Sequence, residues 1–239
     1  LIGVLGNDAA IEAAYFGPGG MATGRLDGKT IVELCTTSPE TTQRLERDVA
    51  AQGGQFLECP VGGTVAPARS GQLLGLAGGT PEAFASAEPV LKLMTRRLEH
   101  MGPVGSGSAM KLAINLPLMV YWVALGEALG LALGRGIDPS LALDILADSS
   151  GAIGAAKKRV APIRDMLAEG EPGGVNFALE VALKDMRLME ALAAETGRPS
   201  PVISAARGHG EQAAAAGWAP LDASFMGLLG MAEPGRGGS

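Results

Sequence analysis

The sequence is poor in cysteine and histidine, and each shortage argues against a class of protein. Only two cysteines are present, Cys35 and Cys59, too few for the disulfide framework of a small secreted domain. The two histidines, His100 and His209, lack cysteine or acidic partners at ligand spacing, which argues against a zinc site. The N-terminal LIGVLGND has no signal-peptide pattern. We therefore expect a reduced, cytoplasmic protein.

Basic charge is also scarce, because 19 Lys and Arg stand against 25 Asp and Glu and leave a formal net charge of −6. This balance argues against a nucleic-acid binder, which usually has a basic face. It does not exclude an anionic substrate, because one local lysine can outweigh a distant negative surface. Hydrophobic residues make up 47% of the chain but aromatic residues only 4%. We therefore expect a sizeable core built mainly from aliphatic side chains.

One long apolar run, over residues 112–134, raises the question of a membrane span. The run is long enough to cross a bilayer. However, it contains Asn115, Pro117 and Glu127, and no second run of this kind occurs in the sequence. We therefore expect a buried helix and no membrane insertion. Such a helix needs cover on every side, and a neighbouring subunit of a homodimer or homotetramer would supply part of it.

The first 105 residues alternate short apolar segments with helical ones. Strands are expected at residues 1–5, 30–35, 55–59, 72–77 and 98–101, and helices at residues 8–16, 39–51 and 81–94. Asn7 or Asp8 suits the N-cap of the first helix, and Ser38 suits that of the second. The alternation predicts an α/β domain with a largely parallel sheet.

After residue 105 the pattern changes, and no further strand is convincing. Helices are expected at residues 107–135, 138–148, 155–169, 178–196, 201–216 and 221–229. The sequence therefore predicts an α/β domain over residues 1–105 and an all-α domain over residues 106–239, which one long helix joins.

The first motif that could carry chemistry is CPVGGTVAPARSG, directly after the third expected strand. Gly62 and Gly63 allow backbone amides to approach a ligand closely, and Thr64 adds a hydroxyl. At the carboxyl end of a strand, such a turn can bind a carboxylate. A simple strand-to-loop turn is the alternative. We call these three residues the 62–64 turn.

The second motif is GSGSAMKLAINL, where Lys111 and Asn115 are four residues apart and share a helix face. Ser106 or Ser108 is expected to cap the helix, which places Lys111 near its N-terminus. There the helix dipole and partial burial lower the pKa of a lysine toward the range useful for proton transfer. Asn115 could hydrogen-bond the same substrate oxygen or orient the amine. The alternative is a lysine that extends from a buried helix to solvent.

Together with ELCTTSP, GGTPEAF and NFALEVALKDMRL, these motifs occur in an order that resembles the β-hydroxyacid dehydrogenases, the family that includes 3-hydroxyisobutyrate dehydrogenase. The resemblance covers essentially the whole chain. It implies a partial Rossmann-type domain that binds NAD or NADP, followed by a helical domain. It also implies hydride transfer between nicotinamide and a small 3-hydroxy acid, or the matching aldehyde or keto acid.

The resemblance also implies roles for individual residues. Lys111 would be the general acid/base on the reacting oxygen, and Asn115 would help to hold that oxygen. Gly62, Gly63 and Thr64 would bind the carboxylate of a small anionic substrate. The residues expected to contact the cofactor are Leu5, Gly6, Asn7, Thr36, Phe177 and Lys184.

The sequence departs from the family pattern in four places. No G-x-G-x-x-G turn follows an opening strand, so we expect a piece of a longer chain. The alternative is a truncated, catalytically silent ligand-binding or dimerisation module. Gly62 and Cys35 each stand where the family usually has serine, and Ile114 replaces the first of two asparagines. These changes leave open which acid is the substrate, a sulfonate included.

Overall fold

A computed structural model describes residues 1–232, and residues 233–239 of the expected all-α domain lie outside the described residues. The chain divides into two compact units, Leu1–Ala113 and the residues from Ile114 onward. This division falls inside the long helix, because the first turns of that helix pack with the preceding sheet. The domain boundary that the sequence places at residue 105 stays a prediction.

The first unit is a six-stranded sheet with helices. Its elements are β1 (Ile2–Gly3), α1 (Asp8–Phe16), β2 (Thr30–Glu33), α2 (Pro39–Ala51), β3 (Gln55–Glu58), β4 (Val61–Gly62), α3 (Val65–Arg69), β5 (Leu73–Gly79), α4 (Pro81–Leu91) and β6 (Thr95–Gly102). Local caps fix where the helices begin. Asn7 caps α1, Ser38 caps α2 and Thr80 caps α4, and each side chain accepts a backbone amide hydrogen bond.

The sheet is mixed. Strands β1, β2 and β3 are parallel neighbours, and β5 and β6 are parallel, but β5 runs antiparallel to β3. The prediction of a largely parallel sheet is therefore wrong for the pairing of β5 with β3. The cause is the short connection from β4 to β5 through α3, residues 63–72, because a parallel crossover needs about a dozen residues or more.

Strands β3 and β4 form one interrupted strand. The pairs Glu58↔Gly78 and Val61↔Gly75 keep a single register along β5, and the carbonyl of Pro60 accepts a hydrogen bond from the amide of Leu76. A proline has no amide hydrogen to donate to the ladder, so the pairing is weakened at this point. The extended chain therefore runs past the carboxyl end of β2, along β5, and leads into the 62–64 turn.

Helices cover both faces of the sheet in the first unit. Ile31 and Phe56 belong to one apolar cluster with residues of α1 and α2, whereas the next residues along each strand, Val32 and Leu57, belong to another with residues of α4. Alternate side chains of a strand point to opposite faces. Strands β2 and β3 are therefore buried on both sides, as in a doubly wound α/β fold.

The thiol of Cys59 lies in this core, fully buried, and burial raises its pKa to about 12. Because the thiolate is the reactive form, we expect iodoacetamide at pH 8 to label Cys59 about a thousandfold more slowly in the native protein than in denaturant. Mass spectrometry of the peptide that contains Cys59 measures both rates. Similar rates in the two states would contradict the buried placement.

The rest of the described chain is helical. Its helices are α5 (Ser106–Leu133), which begins in the first unit, α6 (Pro139–Asp148), α7 (Val160–Glu169), α8 (Leu179–Glu195) and α9 (Pro201–Ala213). Five of the six expected helices are found as α-helices, one of them preceded by a 3₁₀ turn, Ala156–Arg159. The sixth, expected at residues 221–229, is a 3₁₀ helix, Ala223–Leu228.

Helix α5 is long and apolar enough to cross a membrane when judged by length and composition alone, and 28% of its most apolar stretch is buried. One such helix is weak evidence, because core helices of soluble proteins pass the same test. The predictions of no membrane insertion and of self-association both stay predictions.

Candidate functional site

The cofactor residues expected in the first unit lie in two neighbouring loops. Leu5, Gly6 and Asn7 follow β1, and Thr36 follows β2. Because β1 and β2 are parallel neighbours, both loops leave the sheet at the same edge. In open α/β sheets this carboxyl edge is where ligands bind. The side chain of Asn7 also caps α1, accepting from the amide of Ala10 at 2.9 Å.

Two buried glutamates line the sheet just inside this edge. Glu33 ends β2 and Glu58 ends β3, and they are register partners that are 1% and 2% exposed. Glycines flank them on the outer strands, so that Gly3, Glu33, Glu58 and Gly78 form one row across four strands. A Cβ on Gly3 would lie 2.2 Å from a carboxylate oxygen of Glu33, and one on Gly78 would lie 2.3 Å from Glu58. The glycines therefore leave the space that the two carboxylates occupy.

Glu33 fixes the backbone beside Thr36. Its carboxylate accepts hydrogen bonds from the hydroxyl of Tyr15 at 3.0 Å and from the backbone amide of Cys35, the residue before Thr36, at 3.1 Å. Burial, together with the neighbouring Glu33, raises the pKa of Tyr15. Tyr15 thus remains a protonated donor to Glu33 at every physiological pH.

Glu58 binds the start of α5. One carboxylate oxygen accepts hydrogen bonds from the backbone amides of Gly105 at 2.7 Å, Gly107 at 2.9 Å and Ser108 at 3.4 Å. The other oxygen accepts a hydrogen bond from the hydroxyl of Ser108 at 2.5 Å. Burial raises the pKa of Glu58, and these hydrogen bonds oppose the rise. The expectation that Ser106 or Ser108 caps this helix is therefore wrong, because the capping carboxylate comes from β3.

The 62–64 turn has a backbone that requires glycine. Gly63 has a φ of +127°, and a Cβ there would lie 2.8 Å from the side chain of Leu73. Thr64 precedes α3 and makes no capping hydrogen bond with its side chain. Gly62 and Thr64 are half-buried and Gly63 is exposed. Carboxylate binding by the 62–64 turn stays a prediction.

Lys111 lies in the second turn of α5 and is half-buried. Gly107 and Ser108, four and three residues earlier, share its helix face. Gly107 packs against the sheet so closely that a Cβ would lie 2.2 Å from the carbonyl oxygen of Leu76. Lys111 is therefore the next residue along the face by which α5 is attached to the sheet.

Two residues predicted separately meet at one buried acid in the second unit. The side-chain amide of Asn115 donates to one oxygen of Asp185 at 3.0 Å, and Lys184 forms an ion pair with the other oxygen at 3.1 Å. Both Asn115 and Asp185 are buried. Asp185 therefore orients Asn115, with Lys184 beside it.

The loop that carries Phe177 is held by a second buried acid, Asp222. One oxygen of Asp222 accepts the amides of Asn176 at 2.8 Å and Phe177 at 3.2 Å, and Arg159 lies 3.4 Å from the other. The carbonyl of Phe177 in turn accepts the amide of Ala223 at 2.8 Å. The backbone of Phe177 is thus hydrogen-bonded through both its amide and its carbonyl, and the residue is half-buried.

Four acids that organise these residues were not predicted from the sequence: Glu33, Glu58, Asp185 and Asp222. Acids are seldom fully buried unless they are paired or hydrogen-bonded. Their common signal is an acid inside or at the end of an apolar segment, as in TIVE, QFLE, LKDM and PLDAS. That signal marks a buried carboxylate, but it does not identify the distant group that the carboxylate binds.

The residues at the carboxyl edge fit one part of a dinucleotide site. A Cβ added at Gly6 would meet no atom within 4 Å, so there is room beside the loop after β1, and the side chain of Thr36 lies after the next strand. Leu5, Gly6, Asn7 and Thr36 would hold that part of the cofactor. In the described chain, residues 1–232, no group of three or more His, Cys, Asp or Glu side chains could hold a metal ion.

Two family models match the chain. The NAD binding domain of 6-phosphogluconate dehydrogenase matches residues 1–102, and the NAD-binding domain of NADP-dependent 3-hydroxyisobutyrate dehydrogenase matches residues 105–228. The fold and the two matching models thus define a nicotinamide-nucleotide-binding protein of the Rossmann type. The chain belongs to the β-hydroxyacid dehydrogenase family. This confirms the predicted family and fold class, and NAD or NADP as the family's cofactor.

Individual relatives agree with this assignment. The chain is 37% identical over 142 residues to a 3-hydroxyisobutyrate dehydrogenase of Pseudomonas aeruginosa, covering 59% of this chain and 47% of the relative. It is 32% identical to glyoxylate/succinic semialdehyde reductase 1 of Arabidopsis thaliana, and the match covers 94% of this chain and 76% of the relative. A solved Mycobacterium tuberculosis 3-hydroxyisobutyrate dehydrogenase with L-serine has a TM-score of 0.79 at 25% identity, covering 97% and 79%. The chain thus spans about half the length of the Pseudomonas relative.

Proposed function

We propose that the protein is an NAD(P)-dependent oxidoreductase. It would transfer a hydride between nicotinamide and a small 3-hydroxy acid, or the matching aldehyde or keto acid. The observation that carries the proposal is the placement of Lys111 on helix α5. The first turn of this helix is hydrogen-bonded to Glu58, and Glu58 lies four residues before the start of the 62–64 turn. Membership of the β-hydroxyacid dehydrogenase family supports it.

The chemistry assigned to Lys111 follows from the reaction. When bound, the nicotinamide accepts or donates the hydride. Oxidation of the alcohol also releases a proton from its oxygen, and the neutral amine of Lys111 would take that proton. In the reverse direction negative charge develops on the carbonyl oxygen, and the ammonium of Lys111 would stabilise the charge and donate the proton. Asn115, which Asp185 orients, would help to hold the same oxygen.

The substrate class follows from the 62–64 turn. Backbone amides and a hydroxyl suit the acid group of a small anionic molecule. The relatives named above act on, or are solved with, molecules of this size, and L-serine itself carries a 3-hydroxyl beside a carboxylate. Phe177 and Lys184 are candidate cofactor contacts of the second unit. Self-association and a cytoplasmic location, both expected from the sequence, remain part of the proposal.

The test is a substrate panel with the protein as its gene encodes it. We expect NAD- or NADP-dependent turnover of at least one small 3-hydroxy acid, in preference to the 2-hydroxy isomer and to an ester that lacks the negative charge. Absorbance of the reduced cofactor at 340 nm follows the reaction. No turnover with any acid and either cofactor, by a protein shown to be folded, would favour the silent module instead.

A further inference from the structure

The start of α5 is fixed by a residue far away in the sequence. The amides that begin a helix usually find a partner in a side chain within the first turn. Here they find Glu58, which precedes Gly105 by 47 residues and Ser108 by 50. A local cap would stabilise the helix equally well, but only a partner on another element fixes the helix relative to that element.

The surrounding glycines show that this contact is tightly packed. Gly78 and Gly107 both lie beside the carboxylate, and Cβ atoms there would approach one oxygen of Glu58 to 2.3 Å and 3.3 Å. The second oxygen accepts the hydroxyl of Ser108. Both oxygens are therefore used, and a side chain of different length would leave several amides without a partner.

Glu58 also lies on the strand that leads to the 62–64 turn. It is the last residue of β3, and the interrupted strand continues in the same register to Gly62. Lys111 lies on the other side of the contact, three residues after Ser108 on the attached face of α5. One side chain therefore joins the strand that leads to the turn and the helix that carries the lysine, both within the first unit.

We propose that Glu58 is a positioning residue for the reaction, which holds Lys111 at a fixed place relative to the 62–64 turn. This inference rests on the proposed function. Glu58 does not touch the reacting atoms and acts through the first turn of α5. A displacement of the order of 1 Å in a catalytic group can reduce turnover about a hundredfold, so the position of this helix matters to the rate.

The test compares three variants that differ in length and charge. Glu58→Gln keeps the length, an oxygen that accepts the amides of Gly105 and Gly107, and an NH₂ group that can donate to Ser108. We expect it to retain kcat within about threefold, whereas Glu58→Asp and Glu58→Ala lower kcat about 10–100-fold. The KM for the cofactor should stay within about threefold in all three, because the loops after β1 and β2 are untouched.

Glu33→Ala is the matched control. Glu33 is the register partner of Glu58 and equally buried, but its hydrogen bonds go to Tyr15 and Cys35. Its removal should destabilise the fold, while amide hydrogen exchange of the segment 105–116 stays as in the wild type, because the hydrogen bonds from Glu58 to that segment are kept. Circular dichroism at the assay temperature establishes that each variant is folded.

A second readout does not depend on activity. Amide hydrogen exchange of the segment 105–116, measured by mass spectrometry, should be faster in Glu58→Ala than in the wild type and normal in Glu58→Gln. The proposal is overturned if folded Glu58→Ala keeps full kcat, if Glu33→Ala speeds exchange of this segment as much, or if exchange of this segment does not change in Glu58→Ala. A wild type that turns over no acid would instead refute the proposed function. The exchange result would still test whether Glu58 fixes the start of α5.

Discussion

Replacing Lys111 with alanine is expected to lower kcat about 10²–10⁴-fold, the usual contribution of a general acid/base. The side chain lies one helical turn beyond the residues that attach α5 to the sheet, so its removal leaves that attachment intact. The Kd for NAD(P)H, measured by nucleotide fluorescence, should therefore stay within a few-fold of the wild type.

Two further variants separate proton transfer from charge and from general damage. Lys111→Arg keeps a positive charge but cannot release its proton, so it should lose nearly as much activity as the alanine variant. Lys92→Ala removes an exposed lysine that pairs with Glu88 on α4, and should change kcat less than twofold. A Lys111→Ala enzyme with kcat near that of the wild type would refute the role of Lys111.

Replacing Gly126 with alanine should destabilise the second unit by about 2–3 kcal/mol, because an overpacked site must shift its backbone. Gly126 of α5 contacts the 3₁₀ helix Ala223–Leu228 backbone to backbone. A Cβ at Gly126 would lie 1.8 Å from the carbonyl oxygen of Gly227, and a Cβ at Gly227 would lie 2.1 Å from that of Trp122. Urea denaturation followed by circular dichroism measures the change in the free energy of unfolding.

Gly130, one turn further along the same helix, is the matched control. A Cβ there would meet no atom within 4 Å, and the residue is exposed. The same substitution at Gly130 should therefore stabilise the protein by about 0.5–1 kcal/mol, the helix preference of alanine over glycine. If the two variants changed the free energy of unfolding equally, the close contact of Gly126 with Gly227 would be refuted.

Local signals in the sequence were sufficient to predict most of the helices. The first two expected helices match α1 and α2, since Asn7 and Ser38 cap them and Pro39 suits a first helical position. The family motifs likewise identified Lys111 and the 62–64 turn as candidates. These features depend on residues that are neighbours in the chain, which is why sequence patterns report them.

The features that were not predicted depend on contacts between residues that are far apart in the sequence. The antiparallel pairing of β5 and the continuity of β3 with β4 are set by strand pairing, which no local pattern specifies. The cap of α5 lies 47–50 residues before the amides that it binds, and Asn115 meets Asp185 across 70 residues. A buried acid can be suspected from its apolar neighbours, but its partner appears only in the folded chain.

The proposed function depends on hydride transfer between nicotinamide and the carbinol carbon of a small hydroxy acid. The most direct test supplies the corresponding aldehyde or keto acid with NADPH or NADH deuterated at C4, in separate reactions for the two faces of the ring. Mass spectrometry then locates the label in the product. We expect one deuterium on the carbinol carbon from one of the two faces. Cofactor oxidation without label at that carbon in either reaction would contradict it.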